Sequence, residues 1–153
     1  MIELPHTIVG AAIAAKIGNP LLALPLALAS HFVMDMVPHW NPHLNKEIAK
    51  YGKVTTLTTW VIIIDVVLSL IAGITIGSKF LPDTNRFLLV MACCFLAVLP
   101  DVAEAPHFFL GQKWRPIKKL VEFQSKIQFN VPFLPGVASQ ALVIIAALWW
   151  IYQ

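Results

Sequence analysis

Charge is what this chain has least of. Only 12% of its 153 residues are Asp, Glu, Lys or Arg, against 58% hydrophobic, whereas a soluble domain carries roughly 25% charged residues. That shortage excludes a surface fully covered by water and puts the chain in the membrane class. The net charge of +3 does not point to nucleic acid, because membrane proteins hold Lys and Arg in their cytoplasmic loops. Cysteine is nearly absent too. Cys93 and Cys94 are adjacent in an apolar run, where helical geometry points neighbouring side chains apart. They do not easily bridge and read as small core residues. No strand-like alternation, long repeat or low-complexity tract is present. What is left is an all-α chain forming one integral membrane helical domain, 1–153. No Lys precedes Lys16, so no secretory leader is expected, since such leaders open on positive charge.

What is present is hydrocarbon in blocks. Residues 7–17 are helical in composition but too few for a full span, which needs roughly 20 residues. Their small side chains, Gly10 to Ala12 with Ala14 and Ala15, permit close approach to a neighbour, as in a re-entrant or buried helix. Residues 21–37 make a second helix, ended by Pro38 because the residue before a proline avoids the helical region. Residues 54–77 are a clear span, 87–99 a further apolar helix closed by Pro100, and 136–152 a last span with Trp149, Trp150 and Tyr152 as an aromatic belt. Residues 112–128 alternate apolar with basic side chains and are expected to lie flat at the interface. The expected architecture is a helical bundle with four to five membrane-embedded helices and one interfacial amphipathic helix.

Ionisable groups inside such blocks are costly and mark function by default. His31 and Asp35 are four apart, hence on one helix face. His39 follows past Pro38. Asp65 lies near the middle of the 54–77 span, about 15 Å in from its start. Asp101 and Glu104 follow Pro100, with His107 beyond; as D-x-x-E they also suit a helix cap. The loops holding Lys46, Lys50 and Lys53, and Lys113, Arg115, Lys118, Lys119 and Lys126, are two spans apart and so share a side, cytoplasmic by the positive-inside rule. That topology gathers His39, His43, Asp101, Glu104 and His107 at one end, with His6 returning if the first two helices form a hairpin. The expected location is the inner (cytoplasmic) membrane.

His with carboxylate suits zinc or another first-row divalent metal, and one to three ions are expected. His31 and Asp35 offer two ligands from one face, with His6, Asp65 and Asp101 completing the shell and His107 a further candidate ligand. On a regular helix His39 lies too far for the same ion. Either the break at Pro38 shortens that distance, or His39 binds a second ion with Asp35 bridging. A catalytic metal keeps one position open for water and lowers its pKa towards about 7. Asp101 and Glu104 are the candidate catalytic residues, Glu104 as general base. Lys113, Arg115, Lys118 and Lys119 are the candidate contacts to anionic membrane lipid. No nucleic-acid partner is expected.

The start His6-Thr7-Ile8-Val9-Gly10-Ala11-Ala12, the block carrying His31, Asp35, Pro38 and His39, and Leu99-Pro100-Asp101 resemble the small membrane-bound metal-dependent hydrolases. Those are distantly similar to zinc-dependent phospholipase C and the P1-type nucleases. The resemblance implies His6, His31, Asp35 and His39 as metal ligands, with Asp101, and a hydrolase acting on phosphoesters such as lipid headgroups. The alternatives are a non-catalytic membrane subunit whose polar cluster joins helices, or a proton or metal transporter using Asp65 and His31.

Overall fold

The computed structural model describes Met1–Gln153. Seven helices follow one another without a strand: α1 Glu3–Ile17, α2 Pro20–Asp35, α3 Leu44–Tyr51, α4 Thr56–Ser78, α5 Thr84–Leu110, α6 Arg115–Ile127 and α7 Phe133–Tyr152. Three of them, α4, α5 and α7, are long and apolar enough to cross a membrane, and α2 is a shorter apolar helix. Of the four to five embedded helices expected, three have spanning length. With 15 and 16 residues, α1 and α2 are about 23 Å long at 1.5 Å per residue, short of a hydrocarbon core of about 30 Å.

Short as it is, α1 is the axis of the bundle. It packs against α2, α4, α5 and α7, and Ala11, Ala12 and Ala14 are wholly buried. A helix apolar on every side must be covered on every side. Its small residues make that possible. A Cβ added to Gly10 would stand 2.6 Å from the Cys93 carbonyl oxygen, so the backbones of α1 and α5 touch at this point.

This helix starts at Glu3, four residues earlier than the apolar pattern predicts, and so His6 belongs to it. Pro5 is tolerated in the first turn, where its missing N–H would have no partner in any case. The exposed N–H groups of that turn are satisfied from other helices. Asp65 of α4 accepts from Glu3 N at 2.5 Å and Leu4 N at 3.2 Å. Gln140 of α7 accepts from Ile2 N at 3.3 Å.

At the other expected boundary, α5 does not stop at Pro100. It runs through Pro100 and Pro106 to Leu110, where Gly111, with φ 65°, takes the left-handed conformation that ends it. A proline forfeits one intrahelical hydrogen bond and crowds the preceding turn. The carbonyl that Pro100 leaves without an N–H is that of Leu96; its neighbour, the Ala97 carbonyl, meets His31 Nδ1 at 2.7 Å.

The loops at the site end are pinned by backbone hydrogen bonds. Phe129 N donates to Asp35 O, His39 N to Phe129 O and Val131 N to His39 O, at 2.9–3.0 Å, an isolated bridge between His39 and Asn130. Gln140 Nε2 donates to Trp40 O at 3.0 Å. Between α3 and α4, Glu47 accepts from Thr55 N at 2.8 Å and Thr58 Oγ1 at 2.5 Å. The Thr55 N–H first, and then the Thr58 hydroxyl, hold its carboxyl below the usual range. A carboxyl depressed in the folded state stabilises fully above its unfolded value near 4.3, and that contribution is lost as pH falls through the folded value. The melting-temperature difference between wild type and Glu47→Gln is therefore expected to be widest at neutral pH and to narrow below about pH 4, as followed by thermal melts across pH.

Candidate metal centre

Asp35 is the last residue of α2, and its carboxylate is the point on which the other groups converge. His31, one turn earlier, faces the same way, and both side chains are fully buried. His31 Nε2 lies 3.7 Å from Asp35 Oδ2. From α1, His6 places Nε2 3.4 Å from Asp35 Oδ1, and its ring stacks on that of His31 with centroids 4.3 Å apart. From α5, Asp101 places Oδ1 3.5 Å from His31 Nε2. His39 lies beyond the helix, but the turn at Pro38 and the bridge to Asn130 fold it back. Its Nε2 is 3.9 Å from Asp35 Oδ1. The amine of Met1 is 2.5 Å from the same oxygen.

These spacings have a chemical meaning. One ligand atom each from His6, His31 and Asp101 lie within 4.8 Å of one another. Two ligands about 2 Å from a tetrahedral ion stand roughly 3.3 Å apart, close to the 3.4 and 3.5 Å observed and longer than a good hydrogen bond. The tautomers point the same way. Nδ1 of His31 meets the Ala97 carbonyl oxygen at 2.7 Å, and Nδ1 of His39 meets that of Val37 at 2.8 Å. A ring nitrogen facing a carbonyl carries the proton and donates it. In each neutral ring Nε2 then holds the lone pair, the arrangement typical of metal-bound histidine. Both Nε2 atoms, and both ring nitrogens of His6, are buried without a hydrogen-bond partner. A buried polar atom left unpaired is costly, and a divalent ion among these atoms would remove that cost. The residues present thus fit a first-row metal. Burial pushes the pKa of His39 below its ordinary value, which favours the neutral, ligating form.

A second rank of groups holds the carboxylates in place. Gln124 Nε2 donates to Asp101 Oδ1 at 2.7 Å, and Gln128 Nε2 to Asp35 Oδ2 at 3.3 Å. Asn41 Nδ2 donates to Gln128 Oε1 at 3.2 Å. The helix α6 that carries Gln124 also buries Val121, while Arg115, Lys118 and Lys119 on its other side are exposed. It closes the end of the bundle over the cluster, against α2 and α5.

Of the residues singled out from the sequence, His6, His31, Asp35, His39 and Asp101 come together. Asp65 does not join them; its two oxygens are occupied by the first turn of α1. His107 lies two helical turns past Asp101, with Nδ1 on the Gln112 carbonyl oxygen at 2.8 Å. His43 precedes α3 as its N-cap and makes no side-chain cap. Glu104 is buried, one turn on from Asp101, and its Oε1 has no hydrogen-bond partner. Asp65, Asp101, Glu104 and Gln124 line a common cavity of about 590 Å³. Gln124, on α6, and Gln128, the residue that caps its C-terminus, were missed in the sequence and are four apart. Neutral amides carry no signature of their own, and that spacing was the only available signal.

A comparison with known proteins finds no matching family model, no matching curated protein and no matching solved structure. Fold and cluster together define a class: a helical bundle with three helices of membrane-spanning length and apolarity, carrying a buried His/Asp cluster at one end.

Proposed function

We propose that this cluster is the metal centre of a membrane hydrolase acting on phosphoesters such as lipid headgroups. His6, His31, Asp35 and Asp101 would hold a divalent ion, most readily zinc given the nitrogen and carboxylate donors, and His39 completes the shell or serves a further ion. The observation that carries this reading is the set of buried, unpartnered imidazole nitrogens facing Asp35 and Asp101. Bound there, a zinc-type ion supplies Lewis acidity and a lowered pKa for water. The chain's own residues do the rest. Gln124 and Gln128 fix the carboxylates, and Glu104, with a free oxygen on the same cavity, accepts the proton of the attacking water. The site is reached from the cytoplasmic face of the inner membrane, the side assigned to the basic loops by the positive-inside rule. Exposed Lys113, Arg115, Lys118 and Lys119 hold anionic lipid beside it.

One contact favours a second reading. The Met1 amine against Asp35 Oδ1 supplies a positive charge without a metal, as a purely structural cluster joining α1, α2 and α5 would require. Purified protein stripped with a chelator and then given back zinc separates the two. The hydrolase reading expects copurifying metal, and cleavage of a phosphodiester lipid that is lost on stripping and restored on reloading. A metal-free protein with no such cleavage and an unaltered melting temperature after chelation supports the structural cluster instead.

A further inference from the structure

The His/Asp cluster does not account for every buried acid. Glu3, Asp65, Asp101 and Glu104 all line the cavity of about 590 Å³ beside it, and Lys46 is the only Lys or Arg on its wall. Acids in such surplus are costly unless something compensates them. Two of the four are served in part. Asp65 accepts from the Glu3 and Leu4 N–H groups. Asp101 turns Oδ1 to Gln124 and His31. The other two are not served. Glu104 is 6% exposed, and its Oε1 has no hydrogen-bond partner. Glu3 Oε2 is buried and equally bare.

The fold brings these groups to one place. Glu3 opens α1, and the two hydrogen bonds to Asp65 fix that turn against α4. There its carboxyl stands beside that of Asp101, within hydrogen-bonding reach. Glu104 follows Asp101 by three residues on α5 and so shares its face. The Asp101 side chain is 22% exposed, with Oδ1 committed and Oδ2 left for a further contact. The donors at this end are therefore carboxylate oxygens, whereas the cluster next to it offers imidazole nitrogen. Oxygen donors select hard cations. A magnesium-type ion needs only one or two carboxylates, because it keeps several of its waters, and the cavity has room for them.

We propose that Glu3 and Asp101 hold a hard divalent cation of the magnesium or manganese class, separate from the ion of the His/Asp cluster. Waters fill the rest of its shell, and Glu104 bonds to one of them. Asp101 then bridges the two sites, with Oδ1 towards His31 and Oδ2 towards Glu3. The ion offsets the surplus charge that otherwise keeps a phosphate out of the cavity. That it assists hydrolysis rests on the hydrolase reading; its binding does not. The competing way to relieve the Glu3–Asp101 repulsion is one proton shared between the carboxyls, and it predicts no bound cation.

The test titrates Mn²⁺ into the purified full chain in detergent after zinc has been given back. Electron paramagnetic resonance counts the free Mn²⁺, and spin-echo modulation detects nitrogen bonded to the bound ion. About one Mn²⁺ per chain is expected, without nitrogen coupling and displaced by excess Mg²⁺. Glu3→Gln should weaken it by about tenfold or more, while zinc content and melting temperature hold. Glu3→Ala gives the same reading should the first variant fold poorly. No Mn²⁺ bound by wild type, Mn²⁺ coupled to nitrogen, or an affinity indifferent to both Glu3 variants overturns the proposal. The two readings fail separately. A chain that takes up no zinc and cleaves no lipid, yet binds Mn²⁺ through Glu3, sustains this site and removes the hydrolase. A zinc-bearing hydrolase that binds no Mn²⁺ overturns this site alone.

Discussion

Asp35→Ala is expected to be the most damaging single substitution in the chain, lowering stability by about 3–5 kcal/mol and abolishing metal retention. The carboxylate is wholly buried and lies within 3.9 Å of the Met1 amine and of Nε2 of His6, His31 and His39. Gln128 donates to it as well. Removing one partner of a buried charge pair costs about this much because the other charge is left uncompensated, and here the stranded group is the Met1 ammonium. Asp35→Asn keeps the volume and one acceptor oxygen. It should lose the metal equally but less of the stability, since the amide oxygen still accepts from Met1. Thermal melts in detergent, with metal analysis of the same samples, check both. An Asp35→Ala protein that melts like wild type and keeps its metal would remove Asp35 from the centre of the cluster.

Glu104→Gln is expected to lower hydrolysis by about 10²–10⁴-fold, the usual contribution of a general base, while metal content and melting temperature stay near wild type. The side chain is 6% exposed, lines the cavity and leaves Oε1 unbonded. A structural carboxylate buried so deeply would have a donor on each oxygen; this one leaves Oε1 buried without one. The amide keeps shape and polarity and loses only the ability to accept a proton. Turnover within threefold of wild type, measured at saturating substrate, would mean that the proton goes elsewhere.

The core of the cluster was legible in the sequence because costly groups stood out against hydrocarbon. His31 and Asp35 are four apart in an apolar run, and Asp101 sits at a proline in another. Asp65 was equally visible, yet its role was not. An isolated acid in a span shows that a partner exists and does not identify it, and the partner is the backbone of α1, sixty residues away in sequence. The early start of α1 was hidden for the same reason, since its cap comes from α4 and not from the preceding residues. Pro100 misled in the opposite direction. Local rules end a helix there, whereas α5, packed against α1, α2 and α6, runs on for ten more residues, with His31 bonded to the Ala97 carbonyl beside the proline. The central position of α1 follows from its small residues only once their neighbours are known. Gly10 against the Cys93 carbonyl is a tertiary fact that an alanine-rich dozen residues foreshadows without locating.

A divalent ion between His6, His31, Asp35 and Asp101 is most directly tested by anomalous diffraction from crystals of the purified protein, collected on both sides of the zinc absorption edge. The expected result is an anomalous peak about 2 Å from Nε2 of His31 and from a ring nitrogen of His6, and within bonding reach of both carboxylates. An empty difference map there, with protonated imidazoles and the Met1 amine hydrogen-bonded to Asp35 and Asp101, would contradict the metal centre and leave a structural ion cluster in its place.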